Sequence, residues 1–163
     1  MHKVFLGIGG NIGDKKKNFV NCWELIEKML GKIILHSPVY ETPPWGFVSE
    51  NNFWNQVICI ETNFEPEALL KEIRKIEYLF GRDIKTKSYC SREMDIDILY
   101  FDDLILKNDY LEIPHSLIHE RLFVLKPLSD IAPDFIHPVL QKTSLQMLEV
   151  CEDTSEINKV DLE

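Results

Sequence analysis

Asp95 and Asp97 stand two positions apart in the run Glu93-Met94-Asp95-Ile96-Asp97-Ile98-Leu99-Tyr100-Phe101, which is otherwise apolar enough to be buried. Side chains alternate along a strand. The spacing therefore predicts Asp95, Asp97, Leu99 and Phe101 on one face, with Met94, Ile96, Ile98 and Tyr100 on the other under a layer of helices. Two carboxylates beside a core are costly unless a cation neutralises them. Hard oxygen donors at this spacing suit magnesium, above all where substrate phosphates complete its coordination. The competing reading is an edge strand whose aspartates face water.

The preceding segment bears on that choice. Residues 82–92 are too polar for a core and too irregular for an element, and they carry Arg82, Lys85, Lys87 and Arg92. Loops this long inside compact domains are usually either functional lids or disordered. A cationic flap beside an acidic pair is the composition that triphosphate binding requires. A second candidate site lies on the predicted strand Phe53–Thr62, where Phe53, Asn55, Val57 and Cys59 share a face. A ring plane beside an amide is what a flat hydrogen-bonding heterocycle needs, although Asn55 could equally face water. Pro43-Pro44-Trp45-Gly46-Phe47-Val48 reads as a loop, aromatic enough to serve as a binding surface. His115 and His119 sit at i, i+4, but no third soft ligand is near, which argues against a transition-metal site.

The elements that must position these residues follow from periodicity. Val4 to Gly9 reads as a buried strand, followed by a glycine-rich turn over Gly9–Asp14 with Asp14 as helix N-cap. The glycines match neither GxxxxGK[ST] nor GxGxxG. Phe19, Trp23, Ile26 and Leu30 repeat at helical spacing up to Gly31, with Lys15, Lys16 and Lys17 on a solvated start. Ile33–Thr42 reads as one strand. Glu65–Phe80 reads as a helix with Leu69, Ile73, Ile76 and Phe80 inward. Leu104–Leu106 and Leu111–Ile113 form a small hairpin, a short helix from Pro114 ends before Pro127, and Ser144–Val150 closes the set.

A chain of 163 residues with 45% hydrophobic content is enough for one domain, read as 1–163 with a frayed tail over 152–163. The net charge of −9 argues against nucleic acid or a membrane surface as partner. Cys22, Cys59, Cys90 and Cys151 are scattered without metal spacing, as in a reduced, cytoplasmic protein.

Together these motifs resemble the 6-hydroxymethyl-7,8-dihydropterin pyrophosphokinases of folate biosynthesis. The resemblance runs through Gly9-Gly10-Asn11-Ile12-Gly13, Tyr40-Glu41-Thr42-Pro43-Pro44, Phe53-Trp54-Asn55-Gln56, Gly81-Arg82, Arg92-Glu93-Met94-Asp95-Ile96-Asp97, and Pro114-His115 through Arg121-Leu122-Phe123. It implies an α+β, ferredoxin-like βαββαβ fold: a mainly antiparallel sheet with helices on one side, plus the hairpin and a C-terminal helix. It implies pyrophosphate transfer from ATP to the pterin hydroxymethyl group, releasing AMP, with two magnesium ions held by Asp95 and Asp97. The pterin would be bound by Thr42, Pro43, Trp45, Phe53, Asn55 and Phe123. ATP would be bound by Arg82, Tyr89, Arg92, Ile98, His115 and Arg121, with Arg82 and Arg92 also catalytic. The chain departs from the family pattern in three places: Ser88-Tyr89-Cys90-Ser91-Arg92 replaces Arg-Trp-Gly-Pro-Arg, Ile84 replaces a loop arginine, and Gly10 replaces a serine. Lys85 or Lys87 would then supply the missing charge. The sequence leaves the oligomeric state open, with a monomer favoured.

Two other readings use the same residues. A magnesium-dependent nucleotidyltransferase needs a basic groove that this chain lacks outside one loop. A non-catalytic binding module has no need of an acidic pair beside a cationic flap.

Overall fold

The computed structural model describes residues 1–44, 51–81 and 93–162. Strand β1 (His2–Gly10) lies at the centre, between β4 (Phe53–Thr62) and β5 (Asp95–Phe101), and both pairings are antiparallel. The outer edge of β4 is shared by two short strands in succession. β2 (Lys32–His36) pairs with its C-terminal half and β3 (Tyr40–Thr42) with its N-terminal half. The single strand expected over Ile33–Thr42 is thus broken. Pro38 has no N–H to give, and Ser37 keeps the contact with Val57 through its own N–H and its hydroxyl.

Helices α1 (Lys15–Met29) and α2 (Pro66–Leu79) cover one face, where Phe19, Ile26, Leu69 and Ile73 pack on Val4, Leu6, Ile8, Ile58 and Ile60. Asp14 caps α1 by accepting from the Lys17 N–H at 3.1 Å, as its position predicts. The opposite face is covered as well, contrary to the one-sided layer that the resemblance implied. There α3 (Leu122–Ile131) and α4 (Ser144–Glu149) bring Val124, Leu125, Leu128 and Met147 onto Phe5, Val57, Cys59 and Tyr100. The result is a mixed α/β fold with an antiparallel sheet and, among the described residues, four α-helices.

Three further expectations are corrected. The helix expected to stop before Pro127 is a 3-10 turn at Ile118–Glu120 followed by α3, which runs through Pro127. The proline forfeits one helical hydrogen bond, but its ring is buried in the core. β1 extends to Gly10, so the glycine-rich stretch begins as strand rather than turn. The tail expected to fray contributes β8 (Asn158–Lys159), which pairs with Tyr40 and Glu41 of β3. The hairpin forms as β6 (Leu106–Lys107) and β7 (Glu112–Ile113). Among the described residues, no helix is long and apolar enough to cross a membrane, and Cys22, Cys59 and Cys151 are free thiols.

Candidate active site

β5 is an edge strand, yet its carboxylates are not simply solvated. Asp95 and Asp97 are half-buried, while Met94, Ile96 and Ile98 are buried against α1 and α2. The predicted alternation holds up to Ile98 and then slips. The β1–β5 register runs from Leu6↔Ile98 to Phe5↔Tyr100, leaving Leu99 as a bulge. Leu99 and Tyr100 therefore both join the α3 side, and Phe101 turns to the α1–α2 side. Tyr100 and Phe101 occupy the faces opposite to those expected.

β1 offers no side chain opposite the aspartates. Gly9 pairs with Asp95 and Gly7 with Asp97. On the other side of β1, Gly9 pairs with Asn55 of β4, which pairs in turn with Tyr40 of β3. Cross-strand partners share a face, so Asp95 and Asn55 look the same way from two strands apart, roughly 10 Å at the usual strand spacing. Gly9 keeps the floor between them open. A Cβ there would sit 2.6 Å from Asn55 Oδ1.

Asn55 is buried, which removes the reading in which it faces water. Its Nδ2 donates to Thr42 Oγ1 at 3.0 Å, so β3 fixes the orientation of the amide. Phe53 pairs with Thr42 and is half-buried on the same face, and the exposed Pro43 follows directly. Phe123, in the first turn of α3, packs against the cluster on that face too. The Arg121 guanidinium carbon lies 5.5 Å from the Phe123 ring centroid, and only 6% of Arg121 is exposed.

His115 follows the hairpin, its N–H donating to the Leu99 carbonyl at 3.0 Å. Its Nδ1 accepts from the Leu117 N–H at 3.1 Å. Burial, and then the Arg121 charge, lower its pKa from 6.5 to about 4, against the opposing pull of Asp95 and Glu112. One imidazole thus feels both the acidic pair's first member and the buried arginine. A cavity of about 220 Å³ beside β5 is lined by Asp97, Ile98, Glu112 and His115, with Arg74 and Glu77 from α2.

Glu77 escaped the sequence reading. It is 3% exposed, and its Oε2 accepts from the Ile96 N–H at 2.9 Å, satisfying the outer edge of β5 midway between the aspartates. The signal was present: Glu77 stands four residues after Ile73, on the inward stripe of α2. Trp45, Arg82, Lys85, Lys87, Tyr89 and Arg92 lie outside the described residues. Among the described residues, no three His, Cys, Asp or Glu side chains form a metal-binding group. Two half-buried carboxylates facing glycines do fit a hard cation whose remaining ligands come from a phosphate chain and water.

A family model described as 7,8-dihydro-6-hydroxymethylpterin-pyrophosphokinase (HPPK) matches residues 5–133. The chain belongs to the HPPK family. Among its relatives, the 2-amino-4-hydroxy-6-hydroxymethyldihydropteridine pyrophosphokinase of Aquifex aeolicus is 38% identical, over 87% of this chain and 88% of that protein. The folic acid synthesis protein FOL1 of Dictyostelium discoideum is 44% identical, over 88% of this chain but only 22% of its own length. The fold is similar to that of the Plasmodium falciparum HPPK-DHPS triple mutant, with a TM-score of 0.76 at 21% identity. That match covers 91% of this chain and 44% of the Plasmodium chain.

Proposed function

We propose that this HPPK-family chain transfers pyrophosphate from ATP to the hydroxymethyl oxygen of 6-hydroxymethyl-7,8-dihydropterin, releasing AMP, as a step of folate synthesis. The observation that carries this reading is the row Asp95–Gly9–Asn55. It sets a cation-type acidic pair and a buried amide on one face with a side-chain-free floor between them. Such a row suits a ligand whose ring is read at one end and whose reacting group meets phosphates at the other.

In this reading the pterin ring edge is held by Asn55, oriented by Thr42, with Phe53 and Phe123 giving it stacking faces and Pro43 and Trp45 lining the rim. ATP is held along β5 by Ile98, His115 and Arg121, with Arg82, Tyr89 and Arg92 supplied by the preceding segment. The hydroxymethyl oxygen attacks the β-phosphorus and gives up its proton to solvent, and the bond from that phosphorus to the α–β bridging oxygen breaks. Its electron pair leaves on AMP. Asp95 and Asp97 would hold two magnesium ions, which when bound neutralise charge on the phosphate chain. Phosphoryl-type transfer asks little covalent chemistry of the protein, so alignment and charge placement by these residues carry the rate.

The strand order β5-β1-β4, with β2 and β3 both on the far edge of β4 and β8 added beyond β3, supports a ferredoxin-like βαββαβ topology in which β2 and β3 act as one broken strand. The two core clusters share one sheet, which supports a single domain over 1–163. The deciding experiment supplies the chain with ATP, magnesium and the dihydropterin alcohol. AMP and pyrophosphorylated pterin in equal amounts are expected. AMP formation that does not depend on the pterin would sink the reading.

A further inference from the structure

α3 carries Phe123 in its first turn and is bonded to β3 at its other end. Asp130, in the last turn, accepts a hydrogen bond from the Tyr40 hydroxyl of β3. Phe123 and Asp130 are seven residues apart, two helical turns, and so lie on the same stripe of the helix. Lys126 falls between them on that stripe, with its Nζ 3.6 Å from Asp130. Tyr40 is 2% exposed and pairs directly with Asn55, while two residues along the same strand Thr42 holds the Asn55 amide. One short strand thus orients the amide through Thr42 and grips the helix that bears the facing ring through Tyr40.

We propose that the Tyr40–Asp130 hydrogen bond is a positioning contact that fixes the distance of Phe123 from the Asn55–Phe53 side and thereby sets affinity for the flat ring. The inference rests on the proposed pterin site. Releasing the far end of this ten-residue helix should shift Phe123 without removing any atom that touches the ligand. Tyr40 is not itself catalytic. It acts through α3.

Tyr40→Phe keeps the buried ring and deletes only the hydroxyl. The expected result is a KM for the pterin raised about tenfold, with the KM for ATP within about twofold of the parent chain. Asp130→Ala should reproduce that split, and the double variant should be no worse than either single one. Asp130→Asn, whose amide oxygen still accepts, should restore near-parental behaviour. A merely structural role would lower the melting temperature without separating the two KM values, or give additive losses, and either outcome overturns the proposal. Equal pterin affinity in Tyr40→Phe and the parent chain also overturns it. Failure of the parent chain itself to bind the pterin would instead strike at the proposed function. Hydrogen exchange supplies a ligand-free readout: faster exchange at the amides of 124–126 in Tyr40→Phe is expected, and unchanged exchange there counts against the tether.

Discussion

Asn55 Oδ1 lies over Gly9 so closely that an added Cβ would approach it to 2.6 Å. The amide cannot swing away freely, because its Nδ2 is bonded to Thr42 and the residue is buried. Gly9→Ala should therefore push Asn55 off Thr42 and close the floor between the acidic pair and the amide. We expect a stability loss of about 1–3 kcal/mol, typical of overpacking, and a larger proportional loss of pterin binding. Thermal melts and calorimetric titration with the dihydropterin measure the two effects. Unchanged binding would show that the floor does not matter.

Asp97 pairs with Gly7 and is half-buried, and an asparagine there matches the carboxylate in shape while removing its charge. Asp97→Asn should keep the fold and lower the AMP release rate by about 10²–10³, the scale found on removing an electrostatic stabiliser. Raising the magnesium concentration should restore little of it. Circular dichroism checks the fold. Near-parental AMP release would remove Asp97 from metal binding.

Periodicity made most of the frame legible. Phe53–Thr62 forms the strand expected, and both long helices begin and end within a residue of their predicted limits, because each buries a stripe its own sequence spells out. What stayed hidden depends on partners distant in the chain. The flip of Tyr100 and Phe101 arises where Leu99 bulges against β1, and nothing within β5 encodes that slip. Asp95 and Asp97 could be singled out by type and spacing. Their geometric link to Asn55 could not, since it runs through the registers of two separate ladders. Glu77 was missed because a carboxylate on a helix ordinarily reads as solvated, whereas here it answers an edge N–H.

His115 should be uncharged near neutrality in the nucleotide-free chain, with a pKa of about 4 set first by burial and then by Arg121. The unfolded chain takes up a proton near pH 6.5, while the folded chain refuses it until about pH 4. The unfolded state binds more protons in that window, so stability falls as pH drops through it. His115→Gln should flatten this part of the stability curve. Arg121→Met should raise the His115 pKa only partly, since burial persists. Proton NMR titration of the ring checks both, and a normal His115 titration near 6.5 would contradict the electrostatic account.

α3 has no side-chain cap from its own neighbourhood: the Arg121 carbonyl accepts from the Val124 and Leu125 N–H groups, but the Arg121 side chain has no acceptor for the amides of the first turn. The tail provides one instead: Asp153 Oδ2 accepts from the Leu122 N–H at 3.0 Å, across 31 residues of chain. A negative carboxylate there also suits the positive end of the helix. Burial pushes the Asp153 carboxyl up, but hydrogen bonds from Ser155 and from the Leu122 N–H outweigh it and hold the pKa below 3.8. The cap is therefore present above that pH and is lost as pH falls through the lowered value. Asp153→Ala should cost about 1 kcal/mol at neutral pH, the usual worth of an N-cap, and the difference from the parent chain should vanish in strong acid. Because Leu122 immediately precedes Phe123, the same variant should weaken pterin binding severalfold while leaving α1 and α2 as protected from hydrogen exchange as before. Uniform loss of protection across all helices would mean that Asp153 supports the whole core rather than the start of α3.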